Sequence, residues 1–76
     1  MNPCYIITYS ITDPCIVNVN SVNRTKSEDQ GAIPNGRCRL YFEDGSELLL
    51  DEACDAYENK KQYCNPSHPQ DLPVYG

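Results

Sequence analysis

A change of periodicity in the stretch RCRLYFEDGSELLLDEACDAYENKK constrains the fold of this chain more than any other feature. Its first part alternates, and the apolar positions that share one strand face are Cys38, Leu40 and Phe42. The dipeptide Asp44-Gly45 then separates this run from a second strand-like run, SELLL. Both turn residues tolerate the positive φ of a two-residue type I′ turn, so the stretch predicts a tight antiparallel hairpin.

A helix is predicted directly after the hairpin, because the apolar period changes from two to that of an α-helix. The positions at helical spacing are Ala53, Ala56, Tyr57 and, by its aliphatic stem, Lys60. Asp51 is a suitable N-cap, and the carboxylates of Glu52 and Asp55 favour the positive end of the helix dipole. Lys60 and Lys61 complement the negative end.

Two strands are predicted before the hairpin. Residues 4–11 are rich in β-branched and aromatic side chains, and the sequence TDP ends this run. The side chains of the second run alternate between one face with Cys15, Val17 and Val19 and another face with Asn18 and Asn20. Residues 26–36 are polar and contain Gly, Pro and an Asn-Gly pair, so they are expected to form a mobile hairpin loop.

The order β-β-β-β-α predicts an α+β fold, with a small antiparallel β-sheet of about four strands and one C-terminal helix packed on a face. A chain of 76 residues has room for one small core, so residues 1–63 are expected to form a single α+β domain. Residues 64–76 contain three prolines within eight residues. They are expected to form an extended proline-rich tail.

The formal net charge of −5 argues against direct binding of nucleic acid or of an anionic membrane surface, because both require a surplus of Lys and Arg. No apolar run reaches the roughly 18 residues of a membrane-spanning helix. The start MNPCYIITYS lacks the basic and long apolar regions of a secretory signal. The sequence therefore predicts a cytoplasmic protein, which acts in the host cytoplasm if a phage encodes it.

Five cysteines, an odd number without a C-x-x-C pair, favour reduced thiols over a disulfide framework or a zinc site. A secreted disulfide module stays open as another interpretation, because the tripeptide NRT at Asn23 is an N-glycosylation sequon. No phosphate-binding glycine motif is present in the sequence. Neither a metal nor a cofactor is predicted.

Catalysis has little support in the sequence. His68 is the only histidine and lies in the proline-rich tail, without the rigid element that usually holds a catalytic base. No catalytic residue is predicted, and the chain is not expected to be an enzyme. Another function class stays open: Asn18 and Asn20 could bind a small polar ligand in a homo-oligomer. The oligomeric state, monomer or homodimer, is not predicted.

Acidic residues are concentrated in the hairpin and the helix. Such a surface suits a protein partner with a basic surface, since complementary charge raises the association rate. Tyrosines beside it would supply the rigid anchors that interfaces favour. The predicted partner-binding residues are Tyr41, Glu43, Asp44, Glu47, Asp51, Glu52, Asp55, Tyr57 and Glu58.

The pieces VNVNSV and RLYFEDGSELLLDEACDAYEN resemble the small FlbD-like proteins of flagellar operons and similar short phage proteins. Those proteins show an INxxxI strand and an xLxFxDGxxLxVxE pattern that leads into a helix. The resemblance covers residues 16–58 and implies a strand–turn–strand–helix core with an accessory regulatory role. The chain departs from that pattern in the loop SEDQGAIPNG, the additional N-terminal strand and the tail.

In general profile the chain also resembles phage-encoded inhibitors of bacterial defence, such as anti-CRISPR proteins, which are often single acidic domains without catalytic motifs. This likeness implies a non-enzymatic inhibitor that docks on a basic surface of a partner protein, such as a nucleic-acid-binding groove. We therefore expect a small acidic binding protein. The ligand-sequestering homo-oligomer and the FlbD-like regulator are the alternatives.

Overall fold

The computed structural model describes residues 2–30 and 33–76, which form six β-strands in two sheets and one α-helix. The strands are β1 (Tyr5–Tyr9), β2 (Pro14–Asn18), β3 (Val22–Gln30), β4 (Ile33–Phe42), β5 (Glu47–Leu50) and β6 (Val74–Tyr75). A 3-10 turn, Val19–Ser21, joins β2 to β3, and the helix α1 spans Cys54–Lys61. The fold is α+β, as predicted, but it has two three-stranded sheets instead of one sheet of about four strands, and a strand follows the helix.

The first sheet has the strand order β1-β2-β6. β1 and β2 are antiparallel, with Ile6 opposite Val17 and Thr8 opposite Cys15, while β6 runs parallel to β2 along its other edge. These four inward side chains are buried. The predicted alternation of the second run is confirmed, because Cys15, Val17 and Val19 all lie in the core.

The second sheet has the order β3-β4-β5 and is antiparallel throughout. Its inward residues, which include the predicted apolar positions of β4, are Cys38, Leu40, Phe42, Leu48 and Leu50. A bridge between Ser10 and Leu50, and a hydrogen bond from Asp51 N to Tyr9 O (2.8 Å), join β1 to the end of β5. The inward faces of both sheets thereby enclose one core, to which Tyr57 of the helix also belongs.

A long β3–β4 hairpin replaces the mobile loop that was predicted for residues 26–36. The described residues of this segment belong to strands, and residues 31 and 32 lie outside the described part of the chain. The prediction was wrong because polar side chains of the two strands satisfy each other across the ladder. Arg39 donates hydrogen bonds to both carboxylate oxygens of Glu28, at 2.7 and 3.1 Å.

The β4–β5 turn forms at the predicted place, but its loop has three residues. Phe42 N donates to Ser46 O (2.9 Å) and Gly45 N donates to Phe42 O (3.0 Å). The loop between these bonds consists of Glu43, Asp44 and Gly45. The predicted two-residue type I′ turn was wrong, because a three-residue loop needs left-handed backbone only at its last position. Gly45 supplies it with a φ of +91°.

The helix begins later than predicted. α1 starts at Cys54, and Ala53 occupies the cap position without a side-chain hydrogen bond. Asp51 lies before the cap position, and its carboxylate accepts a hydrogen bond from Arg37 Nε at 3.2 Å instead of capping the helix. Asp55 in the first turn and Lys60 and Lys61 in the last turn are confirmed, whereas Glu52 precedes the helix. Within the residues that the structure describes, no helix has the length and apolar character needed to cross a membrane.

Two disulfides connect the helix region to the sheets. Cys38 of β4 is bonded to Cys54 at the start of α1, and Cys4, just before β1, is bonded to Cys64. Cys15 is free and buried in the core. The structure thus pairs four of the five cysteines, whereas the sequence predicts reduced thiols. The odd count arises because one cysteine serves as a small core side chain.

The tail crosses the outward face of the first sheet. Asn65 exchanges two backbone hydrogen bonds with Tyr5 at the outer edge of β1 (2.6 and 2.8 Å), whereas β6 lies along the far edge of β2. Ile16 lies on this outward face, opposite Ile7 on β1 and Val74 on β6. It is fully buried, because the tail covers it.

Candidate protein-docking surface

The predicted partner-binding residues do not share one surface. Tyr41 and Glu47 face each other on the outward side of the second sheet. The helix packs on the inward side, since Cys54 is bonded to the buried Cys38 and Tyr57 lies in the core. The sheet therefore separates Tyr41 and Glu47 from the acidic residues of the helix, and a single flat partner surface cannot contact both groups.

Arg39 organises the outward face of the second sheet. Besides its two hydrogen bonds to Glu28, it donates to Glu47 Oε1 at 3.2 Å. The hydrogen bonds from Arg39 hold the pKa of Glu28 below its usual value, and Glu28 in turn raises the pKa of Arg39. Glu47 is thus already paired with a guanidinium and is a weak candidate for binding a basic partner.

Tyr41 lies beneath an arginine. The guanidinium carbon of Arg24 is 4.0 Å from the centroid of the Tyr41 ring, within the range of a cation–π interaction. Arg24 itself is exposed, so an approaching molecule meets a positive charge at this position. This arrangement does not suit the basic partner for which Tyr41 was predicted as an anchor.

The two acids of the β4–β5 loop differ in their surroundings. Asp44 Oδ1 accepts hydrogen bonds from Ser46 N (2.9 Å) and Ser46 Oγ (2.6 Å), and these bonds lower the pKa of Asp44. Asp44 therefore stabilises the loop. The exposed Glu43 carboxylate has no ion-pair or hydrogen-bond partner among residues 2–30 and 33–76.

The acids on the helix side also differ in availability. Lys60 Nζ lies 3.0 Å from Glu52 Oε1, and only 14% of the Glu52 side chain is exposed. Glu58 is paired with Lys61 at 3.5 Å, but an exposed pair of this kind is weak and leaves Glu58 available to a partner. The exposed Asp55 carboxylate has no side-chain partner in the described part of the chain.

Tyr57 belongs to the core and does not contact solvent. Its side chain is 0% exposed, and its hydroxyl finds no hydrogen-bond partner among the described residues. Burial raises the pKa of Tyr57 to about 12. The prediction of a surface anchor was wrong, because Tyr57 is the residue of the helix that points into the core between the sheets.

Sequence reasoning missed an exposed apolar set around β1. Its members Ile7, Tyr9, Ile11 and Tyr63 are all at least half exposed. A groove of about 300 Å³ runs between the edge of β1 and the end of α1, and its lining is Ile6, Ile7, Asn59, Lys60, Tyr63 and Asn65. The signal was present in residues 4–11, where Tyr5, Ile7, Tyr9 and Ile11 share one strand face that is more apolar than the face of Ile6 and Thr8, which the core buries.

His68, which was considered for catalysis, and the free thiol of Cys15 both have structural surroundings that explain them. The His68 ring lies edge-on to Tyr5 with centroids 4.5 Å apart, and its Nδ1 donates to Pro69 O at 2.6 Å. Burial raises the pKa of the Cys15 thiol, which keeps it protonated and inert. In the described ranges, no three His, Cys, Asp or Glu side chains are arranged to hold a metal ion.

The two asparagines considered for binding a small ligand, Asn18 and Asn20, form hydrogen bonds within the fold. Asn18 Oδ1 accepts hydrogen bonds from Cys4 N and Asn20 N, both at 3.3 Å. Asn18 Nδ2 donates to Gly76 O at 3.3 Å, and Asn20 Nδ2 donates to Asn2 O at 2.5 Å. These amides hold the tail and the N-terminal residues against β2. Asn18 and Asn20 also line a cavity of about 360 Å³, so ligand binding there stays a prediction.

Asp55 and Glu58 on the helix remain available for a partner, as does Glu43 on the separate β4–β5 loop. We call Asp55, Glu58 and Tyr63 the helix-side surface; all three are exposed. Comparison of the chain with protein-family models, with curated proteins and with solved structures gives no match in any of the three. The resemblances to FlbD-like and anti-CRISPR proteins therefore remain predictions, and the case for a function rests on this surface.

Proposed function

We propose that this chain is a non-enzymatic acidic binding protein that docks on a basic surface of a partner protein and blocks it. The observation that carries the proposal is the helix-side surface on one short helix and its end. There the exposed Asp55 carboxylate has no side-chain partner among the described residues, Glu58 is weakly paired and Tyr63 is exposed. Charge complementarity would steer association, and the tyrosine would supply an anchor of low conformational entropy.

The partner class that fits best is a protein with a nucleic-acid-binding groove, as for a phage anti-defence inhibitor of the anti-CRISPR type. Such grooves carry clustered Lys and Arg that bind phosphates, and an acidic domain can occupy them in place of nucleic acid. The net charge of −5 supports a partner of this sign and opposes direct contact with nucleic acid. The FlbD-like role stays an alternative prediction.

The test is a matched pair of double charge reversals. Asp55→Lys/Glu58→Lys changes the helix-side surface, whereas Asp13→Lys/Asp71→Lys changes the net charge equally at two exposed positions elsewhere. We expect a partner captured by the wild-type chain to bind the control variant with similar affinity. It should bind the helix variant at least tenfold more weakly, and the binding should depend less on salt.

Equal affinity of both variants, with the same salt dependence as the wild type, would remove the helix-side surface from the proposal. Native mass spectrometry addresses the remaining alternative, because a stable homo-oligomer that carries a small molecule would favour the sequestering protein. A partner bound one-to-one by a single chain would favour the inhibitor.

The compartment is tested separately. Cytoplasmic action predicts that the four paired cysteines are reduced in the cell, whereas disulfides form and persist in oxidising compartments. Alkylation of free thiols in intact expressing cells, followed by mass spectrometry, measures which state prevails. Full alkylation at Cys4 and Cys54 would support the cytoplasm, and protection of both would support an oxidising compartment.

A further inference from the structure

The outer edge of β1 is closed at both ends and open in the middle. Tyr5 exchanges backbone hydrogen bonds with Asn65, and Tyr9 O accepts one from Asp51 N. Backbone groups alternate in direction along an antiparallel strand, so the N–H and C=O of Ile7 point to this same outer side. No described residue hydrogen-bonds them there.

The open position faces the groove at the end of α1. Ile7 and Tyr63 supply apolar area to this groove, and they are 51% and 75% exposed. The carboxamides of Asn59 and Asn65 lie along its sides. A main chain that passes between Asn65 and Asp51 could pair with the single open residue Ile7 and place a side chain against Tyr63, as a one-residue form of sheet-edge recognition.

The charged side chains near the groove favour a peptide with basic residues. Asp55 and Asn59 are four residues apart on α1 and are therefore neighbours on its surface, and Tyr63 follows two residues after the end of the helix. Asp55 is exposed and unpaired among the described residues, one helical turn before the groove lining begins. Lys60, which also lines the groove, is held at 3.0 Å from Glu52 and adds no free positive charge.

We propose that this groove binds an extended basic segment of the partner protein, whose backbone pairs with Ile7, whose apolar side chain packs on Tyr63 and whose arginine or lysine reaches Asp55. This inference rests on the proposed function and names the part of the partner that is recognised. It also gives a role to the open backbone of β1, which the helix-side surface alone does not explain.

The direct test uses synthetic peptides and amide NMR of the full chain. The probe is an acetylated and amidated pentapeptide that alternates arginine and valine, compared with a glutamate–valine pentapeptide and with an arginine–valine peptide that is N-methylated along its backbone. We expect the arginine peptide to shift the amide signals of Ile7, Tyr63 and Asn65 and to slow hydrogen exchange at Ile7. N-methylation should weaken binding about tenfold, because backbone pairing is lost.

Two substitutions at exposed positions test the side-chain contacts without disturbing the core. Tyr63→Ser should weaken peptide binding about tenfold, as expected for an aromatic anchor. Asp55→Asn should weaken it up to about fivefold, as expected for an exposed ion pair. Asp13→Asn removes the same charge in the turn between β1 and β2 and should leave the affinity unchanged.

Three results would overturn the groove assignment: no shift with the arginine peptide, shifts confined to other surfaces, or equal binding of the glutamate peptide. None of these results would affect the proposed function if the captured partner binds Asp55→Lys/Glu58→Lys more weakly than it binds the wild-type chain. In the reverse result, the arginine peptide binds in the groove, but the captured partner binds Asp55→Lys/Glu58→Lys as tightly as the wild-type chain. That result would contradict the proposed function.

Discussion

Tyr57 shows how a single polar atom in the core affects stability. Its ring is fully buried, but its hydroxyl has no hydrogen-bond partner in the described structure. A buried hydroxyl without a partner has lost its hydrogen bonds to water and received none in return. We therefore expect Tyr57→Phe to raise the free energy of unfolding by about 1 kcal/mol.

Chemical denaturation measures this difference, and Tyr63→Phe is the control, because its hydroxyl is already in solvent. Tyr57→Ala should instead lower the stability by about 3–5 kcal/mol through the loss of the ring. A destabilised Tyr57→Phe variant would show that the hydroxyl does have a partner in solution.

The same residue predicts a dependence of stability on alkaline pH. Burial raises the pKa of Tyr57 from its ordinary value of 10.0 to about 12 in the folded chain. The neutral phenol is favoured by folding, so its contribution is fully present below the unfolded pKa and is lost as the pH rises through the folded one. We expect stability to fall between these two values, and to fall less steeply in Tyr57→Phe. Denaturation at several pH values, with tyrosinate absorbance, tests this; parallel curves would contradict it.

At the scale of elements, the β3–β4 hairpin depends on pairs that only the folded register creates. Arg39 holds the pKa of Glu28 below its usual value, so this contribution to stability is present above the unfolded carboxyl pKa and is lost as the pH falls through the folded one. Glu28→Gln should thus be less stable than the wild type at pH 7, and the difference should shrink on acidification. Glu43→Gln removes a carboxylate that has no partner in the described part of the chain and should show neither effect. A constant difference at all pH values would exclude the Glu28–Arg39 pair as its cause.

This hairpin also marks the limit of what could be predicted from local pattern. The alternation of Cys38, Leu40 and Phe42 was sufficient to orient β4, since one face is apolar and the other is not. β3 carries no comparable apolar face beyond its first residue, and its strand conformation depends on cross-strand partners such as Arg39. Local sequence does not encode such pairing, so the pattern of residues 26–36 predicts a loop instead.

The candidate site, too, could be predicted from the sequence only in part. Asp55 and Glu58 could be placed on the helix from charge and period alone, and they are exposed there. Tyr63 and the open edge at Ile7 could not, because the groove exists only where the end of α1 approaches β1. Sequence also could not show that arginines 24 and 39 engage Tyr41 and Glu47.

At the scale of the whole molecule, the disulfides carry stability that so small a core would not supply. The bonded cysteines are 60 residues apart in one pair and 16 in the other. Loop-closure entropy then predicts a loss of about 4 kcal/mol for Cys4→Ala/Cys64→Ala and about 3 kcal/mol for Cys38→Ala/Cys54→Ala. Thermal or denaturant unfolding of both variants measures these losses and shows which of the two is larger. Unchanged stability in either would show that its pair does not form.

Thiol titration of the denatured protein gives an independent check of the same pairing. Without reductant we expect one reactive thiol, from Cys15, and after reduction five. Five thiols before reduction would mean that the purified chain is not disulfide-bonded.

The bond between Cys4 and Cys64 also determines how the molecule responds to a protease. Because it spans nearly the whole fold, a single cut anywhere between these two residues leaves fragments that are still covalently joined. A nicked chain would keep its mass on a non-reducing gel and separate only after reduction. Since the fragments cannot diffuse apart, the two halves would remain at high effective concentration, and cleavage at one site need not end binding.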